Sequence, residues 1–237
     1  SRGLGDVYKR QTVYTVDLLG CGRSDKSSIT YTNFVYVQMI SDFIKKIIGQ
    51  KTDVIASGFS GSFVTMACHN EKELFNKIML VNPPSLTQLK QMPNRKDRLL
   101  KAALEIPIFG TLVYHMIVSR DNINNLFIEK MYYNPFHVDN QMADAYYEAA
   151  HKGGYYTRFL YSSLAAKYIN INICHALKAL DNSIYIVEGE TEPNGKAVTD
   201  DYCASNPAIE VSVLKETKHL PHVEAPEAFL EQVKIFF

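Results

Sequence analysis

Ser60 sits between small residues in Gly58-Phe59-Ser60-Gly61-Ser62. The apolar run Val54-Ile55-Ala56 precedes this stretch and Phe63-Val64-Thr65-Met66-Ala67-Cys68-His69 follows it. The first run reads as a strand and the second as the opening turns of a helix. A serine at so tight a strand-to-helix turn is pushed clear of the sheet edge, because the positions two before and two after it admit only small side chains. On this reading the backbone N–H of Gly61 points at the same spot and forms half of an oxyanion hole. A serine hydroxyl is a poor nucleophile near neutral pH, so this chemistry needs a base within reach.

Two further segments carry reactive residue types. In Val13-Tyr14-Thr15-Val16-Asp17-Leu18-Leu19-Gly20-Cys21-Gly22-Arg23-Ser24-Asp25 a β-branched strand ends in Asp17 and runs into a glycine-rich turn. Near the C-terminus, Lys218-His219-Leu220-Pro221-His222-Val223-Glu224-Ala225-Pro226 follows the strand 209–214 and precedes an amphipathic helix. With these three segments the chain resembles the α/β-hydrolase superfamily. The D-x-x-G-x-G-x-S turn, the serine elbow and the H-x-x-H-x-E-x-P stretch come in that family's order, and the resemblance runs from about Thr12 to the C-terminus.

The resemblance implies a serine, an acid and a histidine in that chain order. His219 matches the base position, although Lys218 stands where the family usually has glycine. The acid is expected after the penultimate strand, 183–187, in the pattern glycine, two residues, carboxylate. Gly189-Glu190-Thr191-Glu192 puts Glu192 there, with Glu190 and Glu188 as close competitors. Members with the acid one strand earlier would place it near Asn82, which carries no charge. His222 is expected to pack or cap at the start of the last helix, with no third metal-type residue beside it.

The implied mechanism has His219 taking the Ser60 proton, Glu192 holding the imidazole tautomer, Gly61 N–H stabilising the oxyanion, and water releasing the acyl-enzyme. The implied activity is a serine hydrolase cleaving an ester or related acyl bond of a fairly apolar small molecule, with no cofactor and no metal. A carbon–carbon bond hydrolase or a perhydrolase would use the same triad. A non-catalytic small-molecule-binding member of the fold would need no triad. Dehalogenase and epoxide hydrolase chemistry in this family requires a carboxylate nucleophile, against which Ser60 argues.

The elements that must position these residues alternate. Phe34, Val37, Ile40, Ile44, Ile47 and Ile48 recur at helical spacing and Gly49 ends that helix. Strands follow at 54–56, 77–81, 183–187 and 209–214, and a last helix starts near Pro226 with Phe229, Leu230, Val233 and Phe236 as its buried stripe. This rhythm implies an α/β fold, a mostly parallel sheet with helices on both faces. Residues 12–84 and 174–237 form its core. Residues 85–173 break that rhythm, mostly helical in pattern and rich in aromatics; the resemblance implies that this insertion forms a helical cap, a few of whose aromatics would line an apolar pocket over Ser60. Met92-Pro93-Asn94-Arg95-Lys96-Asp97-Arg98 reads as a solvated face, and Gly153-Gly154 as a turn or a helix break.

At 237 residues and 46% hydrophobic content the chain can bury one large core. Lys+Arg and Asp+Glu are both 25, so no basic face is forecast and nucleic acid is not an expected partner. No apolar run reaches spanning length, so no membrane partner is expected either. The expected partner is a small-molecule substrate, and nothing speaks to oligomeric state. The four cysteines, Cys21, Cys68, Cys174 and Cys203, form no C-x-x-C pair, which fits free thiols in a reducing cytoplasm. Residues 1–11 show no periodicity and resemble a peptide translated from residual sequencing-adapter DNA, a non-native leader. The family fold begins with about three strands before the D-x-x-G-x-G turn, so the sequence is expected to be an N-terminally truncated fragment, itself poorly stable and nearly inactive.

Overall fold

The computed structural model describes residues 12–138 and 140–237. Residues 1–11, expected to be a leader, lie outside the described residues. Four strands, β1 (Thr52–Ser57), β2 (Phe75–Val81), β3 (Ile184–Gly189) and β4 (Glu210–Leu214), form one sheet in that spatial order, and every neighbouring pair is parallel. Parallel pairing requires a crossover between strands. The helices α1 (Asn33–Phe43), α2 (Phe59–Asn70) and α9 (Cys174–Ala179) pack on one face, as does α10 (Gly195–Ser205).

Alternation along β2 and β3 divides the core. Ile78, Leu80, Ile184 and Ile186 point into the larger cluster with Tyr36, Phe63, Leu177 and Tyr202. Met79, Val81, Tyr185 and Val187 point to the other face, against Phe229 and Val233 of the last helix, α12 (Pro226–Phe236), which follows the short α11 (Pro221–Glu224). All six residues of β3 are buried, whereas Ile55 on β1 and Val213 on β4 are exposed at the sheet edges.

Between β2 and β3 lies the helical stretch of α3 (Leu86–Leu89), α4 (Arg95–Glu105), α5 (Pro107–Ile117), α6 (Arg120–Leu126), α7 (Asn140–His151) and α8 (Thr157–Ala165). Asn94 starts α4 with a reciprocal capping box to Asp97, so the segment read as a solvated face is a helix start. Gly153 (φ 104°) and Gly154 (φ 58°) make the turn between α7 and α8. No single described helix is long and apolar enough to cross a membrane; the bent pair α4 and α5 passes only together, by length and composition.

Two expectations need correction. Residues 13–17 form no strand: Val13, Tyr14 and Val16 are exposed and unpaired, because no described strand lies beside them to complete a ladder. The turn after them is nonetheless built, with the Asp17 carboxylate accepting from Arg23 N at 2.8 Å and Ser24 Oγ donating to Asp17 O at 2.6 Å. The first helix forms and ends at Gly49 (φ 72°), but its buried face is Tyr36, Val37, Ser41 and Ile44, while Phe34 and Ile47 are exposed.

Candidate active site

The C-terminal ends of β1, β2 and β3 open onto a cleft of about 380 Å³, walled by Gly58, Phe59, Asn82, Glu188, Glu192 and His219, among others. Its position is the usual one for ligands on a parallel sheet. The loop after β4 carries His219 and the turn after β3 carries Glu192. The His219 Nδ1 lies 3.1 and 3.2 Å from the two Glu192 carboxylate oxygens. Both side chains are half-buried, so the pair is only partly screened by water. A carboxylate on Nδ1 fixes the proton there and leaves Nε2 with a free lone pair, the form a general base requires.

The competing glutamates do other things. Glu190 Oε2 accepts from Glu216 N at 3.0 Å and ties the turn after β3 to the turn after β4. Glu188 is 5% exposed and lies on the cleft wall, where burial pushes its carboxyl above the ordinary range. Asn82 is a clamp. Its Nδ2 donates to Lys218 O at 2.8 Å and His219 O at 2.9 Å, and its Oδ1 accepts from Gly189 N at 3.0 Å. It adopts φ 42°, a conformation Asn tolerates better than most residues. One buried amide thus couples the histidine loop to the acid turn. Lys218, in place of the expected glycine, reaches out so that its Nζ donates to Glu129 O.

Burial, followed by the charge of nearby His219, holds the His222 imidazole below its ordinary value. Its Nδ1 is buried without a hydrogen-bond partner among the described residues, and its ring packs on Phe229. No group of three or more metal-type residues occurs among the described residues.

The elbow differs from expectation. The residue at the apex is Gly58, with φ 57° and ψ −133°, directly after the last residue of β1 and directly before the first of α2. Ser60 is the second residue of α2, and its hydroxyl donates back to Ser57 O at 2.7 Å. Ser60 does not belong to the cleft wall, whereas Gly58 and Phe59 do. Gly61 N donates to Gly58 O at 3.1 Å, so that N–H is engaged in the first turn and is not free for an oxyanion. Gly61 is buried against Leu80, with which an added Cβ would crowd. With Gly58 at the apex, the N–H that follows it belongs to Phe59, at the head of a 12-residue helix whose first amides lack intrahelical acceptors. The structure thus brings Glu192 and His219 together and leaves Ser60 and Gly61 inside the helix.

The aromatic roof also does not form. Of the helical stretch, Ser85 and Gln88 reach the cleft and none of its tyrosines or phenylalanines do. Several of those rings pack on one another instead, as in Phe127 with Tyr132 and Tyr146, and Tyr114 with Tyr161.

A parallel sheet with an elbow after one strand and a histidine–carboxylate pair on later loops defines a protein of the α/β-hydrolase class. The sequence model of the Alpha/beta hydrolase family matches residues 3–232, and the chain belongs to that family. A comparison with curated proteins finds no match. Among solved structures the chain is similar to a carboxylesterase of the thaumarchaeon Nitrososphaera gargenis (16% identity, TM-score 0.66, 93% of this chain and 77% of that one). It is also similar to 2-hydroxy-6-oxo-6-phenylhexa-2,4-dienoate hydrolase from Rhodococcus sp. strain RHA1 (16%, TM-score 0.70, 93% and 78%). A third is bromoperoxidase from Bacillus anthracis (11%, TM-score 0.69, 92% and 78%). At such identities the likeness concerns the fold.

Proposed function

We propose that this chain is a hydrolase of small acyl compounds in which water is the nucleophile. His219, oriented by Glu192, takes a proton from water at Nε2 as the water oxygen bonds to the acyl carbon. The bond to the leaving group then breaks, and His219 returns the proton to that group. The first amides of α2, beginning with Phe59, face developing negative charge with the positive end of the helix dipole.

The observation that carries this reading is Gly58: the apex beside the His219–Glu192 pair has no side chain, while the Ser60 hydroxyl is engaged with Ser57 O. The walls mix apolar Phe59, Pro83, Pro84 and Val198 with polar Gln88 and Glu188, which suits a small acyl compound carrying both apolar and hydrogen-bonding groups. The same bare apex also favours a second reading, a binding pocket without turnover.

The test is ester hydrolysis by the chain, by His219→Ala and by Ser60→Ala, together with fluorophosphonate labelling. We expect His219→Ala to lose about 100- to 10,000-fold, Ser60→Ala to keep its rate, and no serine to be labelled. Labelling at Ser60 would restore the acyl-enzyme route. Absence of turnover on every ester, with His219→Ala indistinguishable from the parent, would leave the binding reading.

A further inference from the structure

We propose that the cleft carries a cation subsite, built on Glu188 where β3 runs into the turn before α10, which takes a primary ammonium group of the bound molecule. This rests on the reading of the cleft as the place where the substrate sits, and it names a chemical feature of that substrate.

Glu188 is almost fully buried, yet it forms part of the cleft wall, beside Gly195 and Thr199, which line the cleft with it. No lysine, arginine or histidine pairs with it among the described residues. Beside it stands Thr199 on α10, whose hydroxyl donates to Lys196 O at 3.0 Å and Gly195 O at 3.3 Å. Space for the carboxyl comes from Gly195, the first residue of α10, where a Cβ would collide with Glu188 Oε1. A bare glycine thus admits an acid at a place that would otherwise close.

The charged groups acting on Glu188 are Glu192 and Asp200, both of its own sign, and the nearby cation-forming group, His219, is already held by Glu192. A desolvated carboxylate without a counter-ion is costly, and the missing charge is one that a ligand can bring. Like-signed neighbours deepen the negative potential in the cleft. They favour an ammonium over a neutral group of the same shape and disfavour an anion. Burial pushes the carboxyl above its ordinary range. A bound ammonium would return it to the charged form and gain a charge-assisted hydrogen bond.

The experiment is calorimetric titration of the full chain with n-butylammonium chloride and with n-butanol, at matched ionic strength and neutral pH. We expect the ammonium to bind at least ~10-fold more tightly than the alcohol, about 1.4 kcal/mol. Glu188→Gln should remove that preference and leave butanol binding unchanged. Gly195→Ala, which displaces the carboxyl without removing its charge, should weaken ammonium binding in the same direction. Glu210→Gln, on an exposed strand position, should change neither. Equal binding of the two probes, no binding of either, or undiminished ammonium binding in a folded Glu188→Gln or Gly195→Ala chain would overturn the subsite. The titration requires no turnover, so its failure is separate from failure of the hydrolytic reading, which His219→Ala tests.

Discussion

Gly58→Ser puts a hydroxyl at the apex that the structure leaves bare. A Cβ built on Gly58 meets no heavy atom within 4 Å, so the cost is conformational and not steric. The backbone there, φ 57° and ψ −133°, is sparsely populated by residues with a side chain. Holding serine in it should cost about 1–3 kcal/mol. For a chain of this size each kcal/mol lowers Tm by about 2–4 °C, so the variant should melt roughly 2–12 °C lower. Against that loss stands a gain in chemistry. The new hydroxyl would share the cleft with His219, whose Nε2 lone pair is free because Glu192 holds Nδ1. We expect a fluorophosphonate label on the peptide carrying position 58, a burst of leaving group, and ester turnover raised by about 10- to 1000-fold over the parent. The assay is intact-mass and peptide mapping after labelling, alongside stopped-flow ester kinetics on both chains. If Gly58→Ser folds but gains neither label nor burst, while Ser60→Ala abolishes the parent's turnover, the apex assignment is wrong and Ser60 is the nucleophile.

Asn82→Ala should be costly, because it removes two donated hydrogen bonds and one accepted one that tie the His219 loop to the turn after β3. At about 0.5–1.5 kcal/mol each, the loss should reach about 2–4 kcal/mol in urea unfolding, with a larger fall in kcat than in thermal stability alone would suggest. Acid should destabilise the chain through His222. Its folded pKa lies below the ordinary value, so the unfolded chain takes up the proton first and stability falls as pH drops below about 6.5. His222→Leu should flatten that slope between pH 7.5 and 5.5 in urea titrations, and an unchanged slope would remove His222 from the account.

The sheet was readable because β2 ends in the apolar run 78–81 and β3 opens with the apolar run 184–187, as strands buried on both faces do. The Glu192–His219 pair was readable for a related reason: each lies in the loop after its strand, and a parallel sheet sends all such loops to one end. Less could be foreseen where position depends on distant chain. The run 13–17 has strand composition but no described partner, and a strand exists only with its ladder. The aromatics of α5 to α8 were legible as a packing set, but which way they turn depends on how the helices stack, which periodicity alone does not give. Glu188 was weighed as a possible acid. Its separate place in the wall depends on Gly195, a residue with no local signal of that role.

The register of the elbow follows from the sequence once β1 and β2 are read together. Their pairing ends with Ser57 opposite Val81, and Gly58 N donates to Val81 O at 2.9 Å as the last rung. For Ser60 to be the apex, β1 would have to run two residues further, placing Phe59 opposite Pro83. Pro83 and Pro84 have no N–H to give, and Asn82 already turns the chain with φ 42°. The ladder therefore stops at Val81, the chain reverses at Gly58, where a positive φ costs glycine little, and the helix begins at Phe59. Ala56-Ser57-Gly58-Phe59-Ser60 is then the small-x-apex-x-small pattern, two residues upstream of the one centred on Ser60. Ser60, at the second helical position, does what serines there commonly do and bonds a backbone carbonyl three residues back. A two-residue shift in where a strand can end thus separates a serine elbow from a cleft that His219 shares with bare backbone at Gly58.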